Sequence, residues 1–96
     1  MVRSEEKSRI IITVLGHDRV GIIAGIATIL AEAGINILDI SQTILQGFFT
    51  MVMVADMSGS SLDIARLREI LNQKGREMEL QITVQHEDIF NFMHRI

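Results

Sequence analysis

The 96-residue chain contains no cysteine, no proline, no tryptophan and no tyrosine. Without cysteine there is neither a disulfide framework nor a thiol nucleophile, which fits a reducing, cytoplasmic setting. Without proline there is no Pro-rich linker at which the chain would divide. Clustered positive charge is also missing. Arg3, Lys7, Arg9, Arg19, Arg66, Arg68, Lys74, Arg76 and Arg95 are scattered and the formal net charge is -3, so no direct binding to nucleic acid is expected. The opening MVRSEEKSR has no apolar core of a leader, and Gly, Asp, Asn or Gln interrupts each apolar run before membrane-spanning length. Neither secretion nor a membrane partner is expected.

What is present is a hydrophobic share of 48%, rich in Ile. That supports one two-layer core, and the length leaves no second domain to close over a substrate. Residues 1–8 read as a flexible polar arm, 9–85 as the domain and 86–96 as a C-terminal helix of the same domain. RIIITVL (Arg9 to Leu15) has the β-branched content of a central strand that Gly16, His17 and Asp18 end. From Val20 to Ala33, Ile22, Ile26, Ile29 and Ala33 lead a wide apolar helical stripe that Gly34 stops. Strands follow over Ile35 to Leu45 and Gly47 to Met57, joined by a tight turn at Gln46 and Gly47. Ser61 or Ser60 is expected to cap a helix from Leu62 to Gln73, which Lys74 and Gly75 end. EMELQITVQ then alternates, with Met78, Leu80, Ile82 and Val84 on one side. In HEDIFNFMHRI, Ile89, Phe92, Met93 and Ile96 share a helical side.

The order strand, helix, strand, strand, helix, strand predicts an α+β fold: a ferredoxin-like βαββαβ sandwich. Its four-stranded antiparallel sheet carries two helices on one face, with the first and third strands central, and a short C-terminal helix is added. The third strand is apolar on both sides, with Phe49, Met51, Met53 and Ala55 opposite Phe48, Val52 and Val54. Its face away from the helices therefore needs cover from the C-terminal helix, a partner subunit or both, and a homo-oligomer is expected.

The strand-to-helix turn is the candidate site. Gly16 allows a tight turn or a close backbone approach. Asp18 can cap the following helix, and Gly21 in its first turn leaves N–H groups open to a carboxylate. Read structurally, the same residues are a cap and two packing glycines. Gly21, Gly25, Thr28 and Glu32 line the helix side away from the stripe, where another subunit or a small ligand can lie. Asn36 can turn its amide to a ligand or bond its neighbouring backbone. The glycine spacing matches neither a Walker loop nor a dinucleotide fingerprint.

GHDRVGIIAGIA followed by LAEAGINILDI and the apolar hairpin strand resembles ACT domains, most closely the small stand-alone ones related to the regulatory segments of glycine-cleavage repressors. The resemblance spans Ile10 to about Val84, and the HEDIFNFMHRI tail looks like that group's own ending. It implies regulation by an amino acid or similar small metabolite, and dimers whose sheets or helices join with ligands at the interface. Carried to this chain, the ligand loop falls on Leu15, Gly16, His17, Asp18, Arg19, Val20, Gly21 and Ile22, faced by Asn36. No catalytic, kinase or DNA-binding domain is expected beside the module.

Catalysis is not expected. Ser58, Ser60 and Ser61 belong to a capping loop, and His17 beside Asp18 is too local a pair to activate a separate nucleophile. His86 and His94 stand about two helical turns apart, too far for one metal ion, so no metal or cofactor is expected. Asp39 and Asp56 are read as strand-edge or strand-end carboxylates facing water. The alternative to a ligand sensor is an oligomerisation or interaction module without a small ligand, docking an unidentified protein partner on its exposed second strand or sheet face.

Overall fold

The computed structural model describes residues 8–88. In chain order they form β1 (Arg9–His17), α1 (Ile22–Glu32), β2 (Asn36–Leu45), β3 (Phe48–Asp56), α2 (Ile64–Met78) and β4 (Leu80–His86). The strands make one antiparallel sheet in the order β2-β3-β1-β4, with β1 and β3 central as their two-sided apolar content requires. Ile10, Ile12 and Val14 of β1, Met51, Met53 and Ala55 of β3, and Ile82 and Val84 of β4 all point to the helix side. They meet Ile22, Ile26 and Leu30 of α1 and Leu67 and Leu71 of α2, so both helices cover the same face of a ferredoxin-like sandwich. Each such fully buried aliphatic side chain stabilises the fold by about 1.5–3 kcal/mol.

Local signals fix most of the joints. Gln46 and Gly47 both have positive φ, the twist of a two-residue hairpin turn that matches the strands it joins. After α1, the Gly34 N–H donates to the Ala31 carbonyl and the Ile35 N–H to that of Leu30, closing the helix C-terminus. Asp39 accepts from the Ile40 N–H where β2 slips one residue against β3, and Asp56 accepts from Ser58 at the end of β3. Both carboxylates lie at a strand edge or end, as expected.

Four expectations change. β1 continues through Gly16 and His17, and the special feature of Gly16 is a close approach. A Cβ there would lie 2.6 Å from Leu80 Cδ2 and 3.3 Å from the Glu79 carbonyl. Neither Ile29 nor Ala33 is fully buried, because the stripe of α1 turns toward Leu30. The cap of α2 is Asp63, whose carboxylate accepts from the Arg66 N–H, while Ser60 Oγ accepts from the Leu62 N–H just before. α2 also runs through Gly75 to Met78 and ends on Glu79 in the left-handed region, so Met78 is helical and β4 starts at Leu80. A Cβ on Gly75 would sit 2.8 Å from the Leu80 carbonyl, so this glycine admits β4 instead of ending the helix. Residues 89–96 of the expected C-terminal helix and the arm 1–7 lie outside the described residues. Among the described residues, no helix is long and apolar enough to cross a membrane.

Candidate functional site

The segment from Asp18 to Gly21 leaves β1 and delivers α1, and its first two residues are tied to two different elements. The Asp18 N–H donates to the Gly47 carbonyl at 2.8 Å, tying the loop to the β2–β3 turn. Arg19 Nη1 donates to the Met78 carbonyl at 2.7 Å, tying it to the C-terminus of α2. Val20, which follows them, is fully exposed.

The N-cap of α1 is Gly21, with φ 92° and no side-chain hydrogen bond to the helix; Asp18 does not cap it. Two residues separate Asp18 from that position, and the Gly21 backbone takes a left-handed turn that a residue with Cβ adopts only under strain. The first-turn N–H groups, which lack intrahelical acceptors, thus lie bare at the end carrying the positive pole of the helix. A Cβ at Gly21 would meet nothing within 4 Å, so the approach is open.

In front of this terminus is a groove of about 290 Å3. One wall is Asp18, Arg19, Gly21, Ile22, Ile23 and Ala24, and the other is Gln42 and Ile44 of β2 with Phe49 of β3. Ile40, Gln42 and Ile44 pair with Met53, Met51 and Phe49, which places them on the helix side of the sheet, yet Ile40 is 39% and Ile44 55% exposed. The helix layer stops short of the edge strand and the groove is the space it leaves. Gln42, Ile44 and Phe49 were not picked out from sequence. The alternation of Ile40, Gln42 and Ile44 was the available signal, but it identifies a face without saying how far the helices reach.

The other expected site residues divide. Gly16 lies at the β1–β4 contact. His17 projects from the opposite face of the sheet, its ring stacked on Phe48 with centroids 5.0 Å apart and planes 23° from parallel. Asn36 is exposed beside Asp56 and Arg9, at the far end of the sheet from Gly16. Seven residue steps along β1, from Arg9 to Gly16, separate those ends, about 23 Å along a strand, so Asn36 does not meet the loop within one chain. Gly25, expected to face another subunit or a ligand, faces α2 instead: its Cβ would lie 3.0 Å from Lys74 Cε and 3.6 Å from Met78 Sδ. A larger hollow of about 520 Å3 runs along the outer side of α2, but Arg66, Glu69, Ile70, Asn72, Gln73 and Arg76 of that single helix are its whole lining. It has no opposing wall to orient a ligand. Among the described residues, no three His, Cys, Asp or Glu side chains are grouped to hold a metal ion.

Comparison with known proteins agrees with this architecture. A family model for the ACT domain matches residues 8–85. A UPF0237 protein of Methanocaldococcus jannaschii is 52% identical over 89 residues, spanning 93% of this chain and 99% of that protein. Among solved structures, an ACT domain protein from Streptococcus pneumoniae superposes with a TM-score of 0.75 at 41% identity, covering 85% of this chain and 92% of that one. A chain named as a transcriptional repressor of the glycine cleavage system gives a TM-score of 0.70 at 28% identity, over 80% of this chain and 44% of that one.

Proposed function

The chain belongs to the ACT domain family of non-catalytic regulatory domains, generally involved in sensing amino acids and other small molecules, and on that premise we propose that it binds an amino acid or similar small metabolite at a seam between two copies of itself. The observation that carries this reading is the uncapped N-terminus of α1 opening on a groove whose far wall is the bare edge strand β2. A ligand carboxylate placed there would accept from the first-turn N–H groups and gain the favourable end of the helix dipole. Ile44 and Phe49 offer apolar contact to a side chain, and Gln42 offers both a donor and an acceptor.

The position of Asn36 supports a two-chain site. Antiparallel strands in one sheet are related by a twofold axis perpendicular to it. If β2 pairs with its own copy about its midpoint, Asn36 of the partner subunit arrives beside Leu45, next to the β1–α1 loop. The helices of both subunits then stay on one side of a continuous eight-stranded sheet. A homodimer of this kind brings the start of the partner's β2 to the end of the sheet that carries the loop, with the Asn36 side chain, by its pairing with Asp56, on the face away from the helices.

A thermal-shift screen of the full chain against the twenty amino acids tests the reading. One amino acid is expected to raise the melting temperature, by the equivalent of about 2.7 kcal/mol at a hundred times its Kd. Gly21→Val, which places a branched side chain in the groove mouth, should abolish that rise while leaving the dimer intact. No shift across the panel in a cooperatively melting protein would refute the sensor reading and favour an interaction module using β2.

A further inference from the structure

The sheet face away from the helices changes character along its length. At one end Ile11 is 5% exposed, and Arg9 pairs with Glu87 at 3.5 Å. At the end nearest the β1–α1 loop, Leu15 is 45%, Phe48 52% and Leu45 69% exposed. The strand registers set these residues side by side, His17 opposite Phe48 and Phe48 opposite Leu45, with Leu15 two residues back on β1. Their neighbours on this half of the face are Thr13, Thr43, Thr50, Gln81 and Thr83, none of them acidic or basic. Charge begins at Asp39 and Asp56, toward the other end.

We propose that this apolar patch, which carries no carboxylate, lysine or arginine, is a second self-association surface, on which another copy of the chain packs sheet against sheet and joins two edge dimers into a tetramer. The charge distribution selects the occupant. A basic partner would find no carboxylate among these residues and a nucleic acid no lysine or arginine, whereas two copies of a chain with net charge -3 approach with least repulsion where neither presents a carboxylate. An isologous contact sets the patch on itself, apolar against apolar.

Size decides why four copies are needed. Three strand spacings by about four residues is roughly 200 Å2 in projection, well short of the ~800 Å2 per partner of a stable interface. In this respect the proposal rests on the β2 pairing above, which keeps both open faces on one side of the extended sheet. A second dimer then engages two patches at once, and the second contact forms at high effective concentration.

The patch also borders the ligand groove. Asp18 directly follows His17, and its N–H is bonded to Gly47 in the turn between Leu45 and Phe48. One loop and one turn thus separate the stacking surface from the groove, so ligand occupancy and tetramer formation act on the same segment.

Sedimentation equilibrium of the full chain from about 1 to 100 µM tests the proposal, using Phe48→Lys and Leu15→Lys on the patch and Ile40→Lys on the β2 edge. All three positions are exposed, and thermal melting of each variant serves to check that it folds. The wild type is expected at the mass of four chains. Either patch variant should halve that mass, and Ile40→Lys should give monomers. A wild-type mass that neither patch variant lowers would overturn the proposal. If Ile40→Lys then still lowers it, the edge reading stands. A wild-type dimer split by the patch variants but spared by Ile40→Lys would support sheet stacking and overturn the edge dimer. A wild-type monomer throughout would overturn both.

Discussion

The two edges of the sheet differ although each borders a central strand. β4 has seven residues, its Ile82 and Val84 are buried, and Arg68 reaches across from α2 to donate from Nε to the Val84 carbonyl at 2.9 Å. α2 also lies so close that Gly75 nearly touches the Leu80 backbone. β2 has ten residues, all exposed but Ile37, with no Lys or Pro along it. Natural sheets guard exposed edges with charges, prolines, short strands or covering helices. β4 is guarded by α2, and β2 is open apart from Asp39 and its one register slip near Leu38. The difference identifies the edge left free for another chain, and that same edge walls the groove before α1.

Removing the guard of β4 is expected to have the largest effect. Gly75→Val would force a branched side chain against the Leu80 carbonyl, which is backbone and cannot rotate away. Overpacking of this kind costs about 1–3 kcal/mol, and separating α2 from β4 would expose Leu71 and Ile82 besides. A loss of about 3 kcal/mol or more is expected in urea denaturation, and a variant as stable as the wild type would show that the α2–β4 contact can relax.

A smaller effect is expected from lifting the guard at one carbonyl. Arg68→Ala removes the bond to Val84 and the aliphatic stem lying over the edge, a loss of about 1 kcal/mol. Arg68→Lys, which keeps the stem without the planar fork, should recover only part of it. Full recovery by Lys would assign the contribution to packing.

The contrast between edges shows what the sequence made legible. Strand and helix order, the turn at Gln46 and Gly47 and the central placement of β1 and β3 follow from apolar period and turn chemistry, which act within a few residues. What was missed depends on contacts between distant segments. Gly75 reads as a helix stop until Leu80 is packed on it, and Asp18 reads as a cap until the left-handed Gly21 delays the helix. Of the expected site, Asp18, Arg19, Gly21 and Ile22 gather at one groove, since they share a loop. Gln42, Ile44 and Phe49 went unseen because the overhang of an edge strand beyond the helix layer leaves no mark in its own alternation.

Supplying β2 with the guard it lacks should barely change protomer stability. Ser41 is exposed at the middle of the strand and pairs with Val52, so its side chain stands on the open face away from the core. Ser41→Lys there keeps the ladder to β3, adds no buried charge and should shift stability by no more than about 0.5 kcal/mol, the range of an ordinary surface substitution. Its effect on assembly follows from position. In a twofold pairing about the strand midpoint, the two copies of residue 41 come nearly opposite one another, and like charges directly opposite across a sheet are destabilising. Light scattering should show the edge dimer lost, and an added amino acid ligand should bind more weakly because the partner's β2 no longer closes the groove. Ser41→Thr, uncharged and favourable in a strand, should leave the mass unchanged. If Lys and Thr give the same mass, β2 is not the joining edge, and its exposure belongs to the groove alone.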